Sequence, residues 1–153
     1  MPEEFHYSEN RDDRFKDTAE FFTPNSLIDK MIIFKDIDWN KPPQNKKFLD
    51  PTCGSGNFLV VLAKRNIPLC NIYGVDLMPD NIETTKRRLT EIFLEKGMEL
   101  GDENTPGTII YHLERNIICA DALTYHYEFW WHKTEQEKED ELFDEFKKKK
   151  GSK

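Results

Sequence analysis

Three short apolar runs, each ending in an aspartate, dominate the hydrophobic pattern of this chain. They cover residues 47–50, 71–76 and 116–121. Their length and the turn residues around them predict buried strands. Between the first two runs, residues 58–64 are apolar on nearly all sides, which predicts a buried helix. Strand, glycine-containing loop, helix, strand, helix, strand is the order in which a doubly wound α/β fold with parallel strands begins.

A second helix is predicted directly after the second strand. Asp80 and Glu83 have the spacing of a capping pair at its start. Residues 101–107, GDENTPG, carry turn formers at both ends and predict a loop, whereas residues 108–113, TIIYHL, fit either a strand or a helix. Four apolar residues form the predicted buried stripe of the second helix: Ile82, Leu89, Ile92 and Phe93.

A further helix start lies near the N-terminus, after a polar segment at residues 1–18 that predicts an arm or an irregular lid. Thr23 offers a hydroxyl for the N-cap, and Pro24 suits the first helical position. Apolar residues then recur at helical spacing and predict one buried face. These residues are Leu27, Ile28, Met31 and Ile32.

A charged tail, residues 132–153, is predicted to follow a single domain at residues 19–131. The tail holds seven Lys against seven Asp and Glu, so its net charge is zero, and the two signs are segregated along it. Such a stretch is typical of a solvated helix or a disordered arm. Leu142, Phe143 and Phe146 have helical spacing and could dock onto another surface, but so weak a stripe favours a frayed helix.

Length and charge exclude several classes of function. The chain has 153 residues, 37% of them hydrophobic and 33% charged, which suits one domain with one core and a solvated arm. A net charge of −7 is the wrong sign for a protein that grips nucleic acid by itself. The polar N-terminus and the lack of an apolar run of about 18 residues predict neither a signal peptide nor a membrane span.

Cysteine usage points to a reducing, cytoplasmic setting. The three cysteines include no C-x-x-C pair, which argues against a disulfide framework and a zinc site. Cys53 lies in a glycine loop without an obvious base, so we interpret it as a packing residue and not as a nucleophile. Cys70 and Cys119 are predicted to lie in the core. The four histidines show no metal-ligand spacing, and no metal is predicted.

The aspartates that end the three predicted strands are the candidate site. Parallel sheets bind ligands beyond the carboxyl ends of their strands, where Asp50, Asp76 and Asp121 would lie together. A single aspartate at a strand end would only indicate a turn. Three of them, with a glycine loop after the first, favour a ligand site.

The loop after the first predicted strand, residues 51–56, is called the glycine loop below. Gly54 and Gly56 allow a sharp turn and close approach of a ligand. A dinucleotide fold would have a third glycine where Leu59 stands, and no Walker lysine follows, so a phosphate-binding loop is disfavoured. The carboxylate of Asp50 would also repel a pyrophosphate and would suit an amine.

The two later aspartates extend this interpretation. Asp76 lies twenty residues after Gly56, where an acid accepts hydrogen bonds from ribose hydroxyls. Asp121 could accept a hydrogen bond from the exocyclic amine of a base. An amine, a ribose and an adenine in a row describe S-adenosylmethionine better than NAD or ATP.

Four stretches resemble the adenine-specific (N6) DNA methyltransferases of restriction–modification and phage type. EFFTP (20–24) resembles the segment that closes over the methionine part of the cofactor, and FLDPTCGSGNFL (48–59) resembles the cofactor loop. IYGVDLMPD (72–80) resembles the ribose-binding strand end, and NIICADAL (116–123) resembles the adenine-recognition strand. The resemblance covers about residues 18–127.

The resemblance implies that S-adenosylmethionine is the cofactor. Leu77 would pack on the adenine, and the Ala122 backbone would lie beside the ring. Phe22, with Phe21, would stack over the cofactor or, alternatively, anchor the first helix. The implied cofactor-binding residues are Phe22, Thr23, Pro24, Asp50, Pro51, Cys53, Gly54, Gly56, Asn57, Phe58, Asp76, Leu77, Asp121 and Ala122.

The family's catalytic motif, Asn or Asp followed by Pro-Pro and an aromatic, has no counterpart after Asp121. The only Pro-Pro pair, Pro42–Pro43, precedes the first strand and is interpreted as a linker. We therefore expect a partial, Rossmann-like methyltransferase fold, truncated after the third core strand, with no catalytic residue of its own. Catalysis on DNA would then need a second chain. The alternative is a non-catalytic cofactor-binding or regulatory module of a methyltransferase or restriction complex. An enzyme that cleaves the cofactor is disfavoured, because no dedicated base is present.

An aromatic cluster follows the third predicted strand. It could fill the core under the sheet, or it could form a partner surface, because five aromatics in seven residues exceed what three strands would bury. The second interpretation predicts a protein partner or a homo-oligomer, with DNA bound only indirectly. The cluster comprises Tyr125, Tyr127, Phe129, Trp130 and Trp131.

Overall fold

The computed structural model describes residues 27–28, 30, 37–127, 142–147 and 150–151. Three strands, three helices and one 3-10 turn alternate in the main described segment. In chain order they are β1 (Phe48–Asp50), α1 (Asn57–Lys64), the 3-10 turn (Leu69–Asn71), β2 (Ile72–Asp76), α2 (Pro79–Glu95), α3 (Ile109–Asn116) and β3 (Ile117–Cys119).

The three strands form one parallel sheet in the order β1-β2-β3. Phe48 is the register partner of Ile72, and Gly74 is the register partner of Ile117. Parallel strands need crossover connections, which α1 supplies between β1 and β2, and α2 and α3 supply between β2 and β3. The predicted α/β class with parallel strands is confirmed.

The core lies where α1, α2 and α3 pack against the sheet. Leu59 and Leu62 of α1 are fully buried with Leu89 of α2 and Ile109 of α3. Each such side chain contributes about 1.5–3 kcal/mol relative to an exposed position. Ile28, from the helical pair 27–28, is also fully buried, whereas Leu27 is 48% exposed. The prediction that both lie on one buried face is therefore wrong for Leu27.

The ambiguous segment 108–113 forms the start of helix α3, with Thr108 as its N-cap. The predicted capping pair of α2 is wrong. The helix begins two residues earlier than a cap at Asp80 would require, with Pro79 at its first position and Met78 as N-cap, and the cap makes no side-chain hydrogen bond. Proline suits this position because its missing N–H would be unpaired there anyway. The apolar stripe is confirmed in Ile82, Leu89 and Phe93, which are buried, while Ile92 is partly buried.

The third strand is shorter than predicted, and two cysteines that were predicted to be buried are exposed. β3 ends at Cys119, whose side chain is exposed because it closes an edge strand. Cys70 is also exposed, in the 3-10 turn that leads into β2. The expectation that both lie in the core is therefore wrong.

Part of the predicted aromatic cluster and part of the tail are described. The rings of Tyr125 and Tyr127 meet edge to face with centroids 5.1 Å apart, while Phe129, Trp130 and Trp131 lie outside the described residues. In the tail, residues 142–147 are helical and the predicted apolar stripe is exposed, as a solvated helix requires. Along the described parts of the chain, no helix has the length and apolar character needed to cross a membrane.

Candidate functional site

The aspartates at the ends of β1 and β2 lie on one face of the sheet. Asp50 is the register partner of Gly74, and Asp76, two residues further along β2, is the partner of Cys119. Since side chains alternate along a strand, residues two apart share a face, as do register partners. Asp121 follows two residues after Cys119, beyond the end of β3. We call Asp50, Asp76 and Asp121 the acidic rim.

The same face carries the glycine loop and helix α1, which pack on Gly74. A Cβ at this position would lie 2.6 Å from Leu59 Cδ1 and 3.1 Å from both Cβ and Sγ of Cys53. Only glycine therefore lets the loop and the helix approach β2 this closely. The sequence interpretation did not single out Gly74, because a glycine inside an apolar strand gives no sign of what packs against it.

The glycine loop turns through two left-handed residues, Gly54 with φ 55° and Gly56 with φ 88°. Its first half is fixed to the sheet by the Cys53 N–H, which donates to the Val75 carbonyl over 2.9 Å. Gly56 then serves as the N-cap of α1, and its carbonyl accepts from the Val60 N–H at 2.8 Å. The predicted role of both glycines in a sharp turn is confirmed.

Asp76 connects the loop, the end of β2 and the start of α2. Its Oδ2 accepts the Gly54 N–H at 3.0 Å. Its Oδ1 accepts the Met78 N–H at 2.9 Å and the amide of Asn81 at 3.1 Å. An ionised carboxylate has about four lone-pair sites, so Oδ2 can accept about one further hydrogen bond. Asp76 therefore has a structural role that the sequence did not predict.

The other two carboxylates of the acidic rim, Asp50 and Asp121, can accept more further hydrogen bonds than Asp76. Asp50 Oδ1 accepts the Thr52 N–H at 3.1 Å, and Asp121 Oδ1 accepts the Leu123 N–H at 2.9 Å. Within the described part of the chain, no residue donates to Oδ2 of either aspartate. Burial raises the pKa of Asp50, the Thr52 N–H opposes this effect, and the charge of nearby Asp76 raises the pKa further. A bound cation would relieve this accumulation of negative charge.

The remaining predicted site residues occupy mixed environments. Pro51 is exposed, Phe58 is partly buried, and Leu77 beside the rim is 45% exposed. The Ala122 carbonyl accepts the Tyr127 hydroxyl at 2.6 Å. Asn57 begins α1. Phe22, Thr23 and Pro24 lie outside the described residues.

Three polar residues of α2 were missed by the sequence interpretation. Asn81 binds Asp76, the Thr85 hydroxyl donates to the Gly54 carbonyl at 3.0 Å, and Arg88 Nη1 donates to the Ser55 carbonyl and to Asn57 Oδ1, both at 2.8 Å. Their spacing of four and three residues places them on one face of the helix. That spacing was the available signal. We call these three residues the polar face of α2.

Cys53 is a buried packing residue, as predicted. Burial and the charges of Asp76 and Asp50 raise the pKa of its thiol far above the ordinary value, so almost no thiolate forms at neutral pH. We expect iodoacetamide to alkylate the exposed Cys70 and Cys119 in the folded protein and to spare Cys53 until denaturant is added. Mass spectrometry of digested peptides measures this order, and early modification of Cys53 would contradict the buried position of the loop.

Comparison with known proteins agrees with this geometry. Residues 4–106 match the family model described as N-6 DNA Methylase. The chain belongs to the N-6 DNA methylase family. The matched region contains the glycine loop, Asp50 and Asp76, and so confirms the family resemblance drawn from the sequence.

Matches to individual relatives cover smaller parts of this N-6 DNA methylase. The chain is 32% identical over 87 residues to "Type II methyltransferase M.VspI" of Vibrio sp. (strain 343), and the matched region covers 56% of this chain and 20% of that protein. It is 36% identical over 57 residues to "23S rRNA (uracil(1939)-C(5))-methyltransferase RlmD" of Shewanella sp. (strain W3-18-1), covering 37% of this chain and 13% of that protein. The chain thus spans a fifth or less of the length of these relatives. No solved structure matches it.

Proposed function

We propose that this chain forms the S-adenosylmethionine-binding part of a DNA adenine-N6 methyltransferase. The observation that supports this best is the acidic rim beside a left-handed glycine loop, with open acceptor capacity on Asp50 and Asp121. S-adenosylmethionine, when bound, supplies a methyl group on a sulfonium. The match to the family model described as N-6 DNA Methylase supports DNA as the final substrate.

The donor and acceptor set of the rim fits this cofactor. Asp50 Oδ2 would accept from the amine, the remaining lone pair of Asp76 Oδ2 would accept from one ribose hydroxyl, and Asp121 Oδ2 would accept from the adenine amine. All three groups are acceptors, and the cofactor presents donors or positive charge at the corresponding places. A phosphorylated ligand would instead face three negative charges, which favours the sulfonium nucleoside.

Transfer to adenine requires groups that hold the target base, and we propose that these lie outside the 153 residues, in further polypeptide or in a second chain. The sequence contains no Asn/Asp-Pro-Pro-aromatic motif to take that role. DNA would then be contacted indirectly, through a protein partner or a second copy, within a restriction–modification setting. The three free cysteines agree with a cytoplasmic location. The same missing motif supports the alternative of a non-catalytic cofactor-binding module.

Calorimetric titration with S-adenosylmethionine tests the pocket, with Asp121→Asn as the site variant. This variant keeps an Oδ1 acceptor for the Leu123 N–H and should weaken binding about tenfold, because it loses a hydrogen bond to a charged group. Asp102→Asn is the matched control, since exposed Asp102 makes the same kind of turn, accepting the Asn104 N–H at 2.8 Å, in the loop before α3. Failure of the unmodified chain to bind the cofactor would refute the proposal.

Tritiated methyl transfer separates the proposed methyltransferase from the non-catalytic alternative. We expect no transfer to DNA by the isolated chain, and formation of N6-methyladenine when a protein carrying the Asn/Asp-Pro-Pro-aromatic motif from the same source is added. Transfer by the isolated chain would contradict our placement of the base-holding groups outside it. If the chain binds the cofactor but no methyl transfer occurs under either condition, the result would support the regulatory module. A parallel assay with RNA in place of DNA is included, and methylated uracil in that assay would indicate RNA as the substrate.

A further inference from the structure

The glycine loop is held from two sides. On the sheet side, the Cys53 N–H donates to the Val75 carbonyl and the Gly54 N–H donates to Asp76 Oδ2, which fixes two loop N–H groups. Among the described strand residues, none donates a hydrogen bond to the carbonyl of Gly54 or Ser55. Gly54 and Ser55 direct their carbonyl oxygens to helix α2, which lies more than thirty residues later in the chain.

Thr85 holds the first of these carbonyls from a fully buried position. Its hydroxyl donates to Gly54 O at 3.0 Å, and its side chain fills the space that a Cβ on Gly56 would need. Since the hydroxyl is shielded from water, loss of this donor would leave the carbonyl with only the weak contact from the Cys53 thiol, whose Sγ lies 3.8 Å away. Thr85 is therefore matched both to the shape of the loop and to its hydrogen bonding.

Arg88 holds the second carbonyl and the start of α1. Its Nη1 donates to Ser55 O and to the Asn57 side chain, both at 2.8 Å. Hydrogen bonds from a guanidinium are stronger than those between neutral groups. Arg88 thus joins the loop, the first residue of α1 and helix α2 at one point.

The geometry assigns Thr85 and Arg88 the role of positioning residues that fix the glycine loop in its cofactor-binding shape. This inference rests on the proposed function, because it assumes that the loop receives the amino-acid end of S-adenosylmethionine. Neither residue touches the acidic rim in the contacts above, so each would act through the loop. The ribose and purine ends would depend on Asp76 and Asp121 and should be less affected.

Calorimetry with two ligands separates positioning from a general loss of structure. In Thr85→Val, which keeps the side-chain shape but removes the hydroxyl, we expect affinity for S-adenosylmethionine to fall about tenfold and affinity for 5′-methylthioadenosine, which lacks the amino-acid end, to change less than about twofold. Thr85→Ser restores the hydroxyl and should recover most of the affinity. Equal losses for both ligands, or no rescue by serine, would overturn the assignment.

Arg88→Met is the second variant, and Arg87→Met is its matched control. Both remove one positive charge from α2, but Arg87 pairs only with Glu91 on the surface among the contacts described. We expect only Arg88→Met to lose more affinity for S-adenosylmethionine than for 5′-methylthioadenosine. If both variants lose affinity equally, the effect is long-range electrostatics and Arg88 has no positioning role.

Hydrogen exchange of the Gly54 amide tests the loop without any ligand. We expect faster exchange in Thr85→Val and Arg88→Met than in the unmodified protein, Thr85→Ser and Arg87→Met. Unchanged exchange would refute the inference even if the cofactor binds. If the exchange result is as expected but neither the unmodified protein nor any variant binds S-adenosylmethionine, Thr85 and Arg88 hold the loop as described and the proposed function is wrong.

Discussion

Replacing Gly56 by alanine is expected to lower the free energy of unfolding by about 2–5 kcal/mol, a large part of the stability of a small domain. Two costs add. A non-glycine residue at φ 88° costs about 1–2 kcal/mol, and forcing a methyl group into a filled space costs about 1–3 kcal/mol. The space is filled because the new Cβ would lie 2.8 Å from Thr85 Oγ1 and 2.9 Å from its Cγ2. Urea denaturation measures the loss.

Gly97→Ala is the matched control, because Gly97 has φ 87° but, its own helix and chain neighbours aside, no residue in the described part of the chain lies within 4 Å of the new methyl group. It should show the backbone cost alone, about 1–2 kcal/mol. In a Thr85→Ala background, Oγ1 and Cγ2 of residue 85 are removed and its Cβ remains 3.2 Å away, so the cost of Gly56→Ala should fall most of the way towards that of Gly97→Ala. An equal cost for Gly56→Ala in both backgrounds would show that Thr85 does not restrict this position.

The parts of the fold and site that the sequence could predict depend on local patterns. Residues 47–50 and 71–76 are short apolar runs with turn formers at their ends, and the observed strands lie within them. The aspartates at these ends and the glycines of the loop could be placed because parallel strands bring their carboxyl ends to one edge. The corresponding error, Cys119 in the core, arose because an apolar run does not show whether a strand lies in the middle of a sheet or at its edge.

What the sequence could not show is the set of contacts between distant elements. Thr85 and Arg88 donate to backbone carbonyls 31 and 33 residues earlier in the chain. Because every residue has a backbone carbonyl, no sequence pattern could mark these two as acceptors. Thr85 in particular is a buried polar residue on a helix whose apolar stripe alone was interpreted. The three donors on Asp76 were missed for the same reason, since two of them are backbone N–H groups.

Asp50→Asn is expected to stabilise the ligand-free protein while it weakens cofactor binding. Burial is the main reason that the pKa of Asp50 lies above its ordinary value, and the charge of Asp76 adds to the effect. A raised pKa in the folded state means that this carboxyl contributes stability at low pH and loses that contribution as the pH rises through its folded-state pKa. At neutral pH the ionised Asp50 therefore costs stability, and asparagine removes this cost while its Oδ1 still accepts the Thr52 N–H.

Thermal unfolding between about pH 4 and about pH 8 measures the first half of this prediction. The variant should melt at a higher temperature than the unmodified protein at the upper end of this range, and the difference should shrink towards the lower end, because a growing fraction of Asp50 is protonated as the pH falls. Asp102→Asn is the opposite control. Hydrogen bonds from the Asn104 N–H and from Thr105 hold the pKa of Asp102 below its ordinary value, so its charge stabilises the fold at neutral pH and neutralising it should give no such gain.

Calorimetry with S-adenosylmethionine measures the second half, where the same substitution should reduce affinity about 10- to 150-fold at neutral pH. The physical reason is that the amine loses its charged acceptor, while the repulsion between Asp50 and Asp76 that a cation would relieve is already gone. In the unmodified protein, affinity should also fall as the pH drops through the raised pKa of Asp50, and in Asp50→Asn this part of the pH dependence should vanish. A variant that gains stability but keeps full affinity would show that Asp50 is buried for reasons of packing and does not receive the amine.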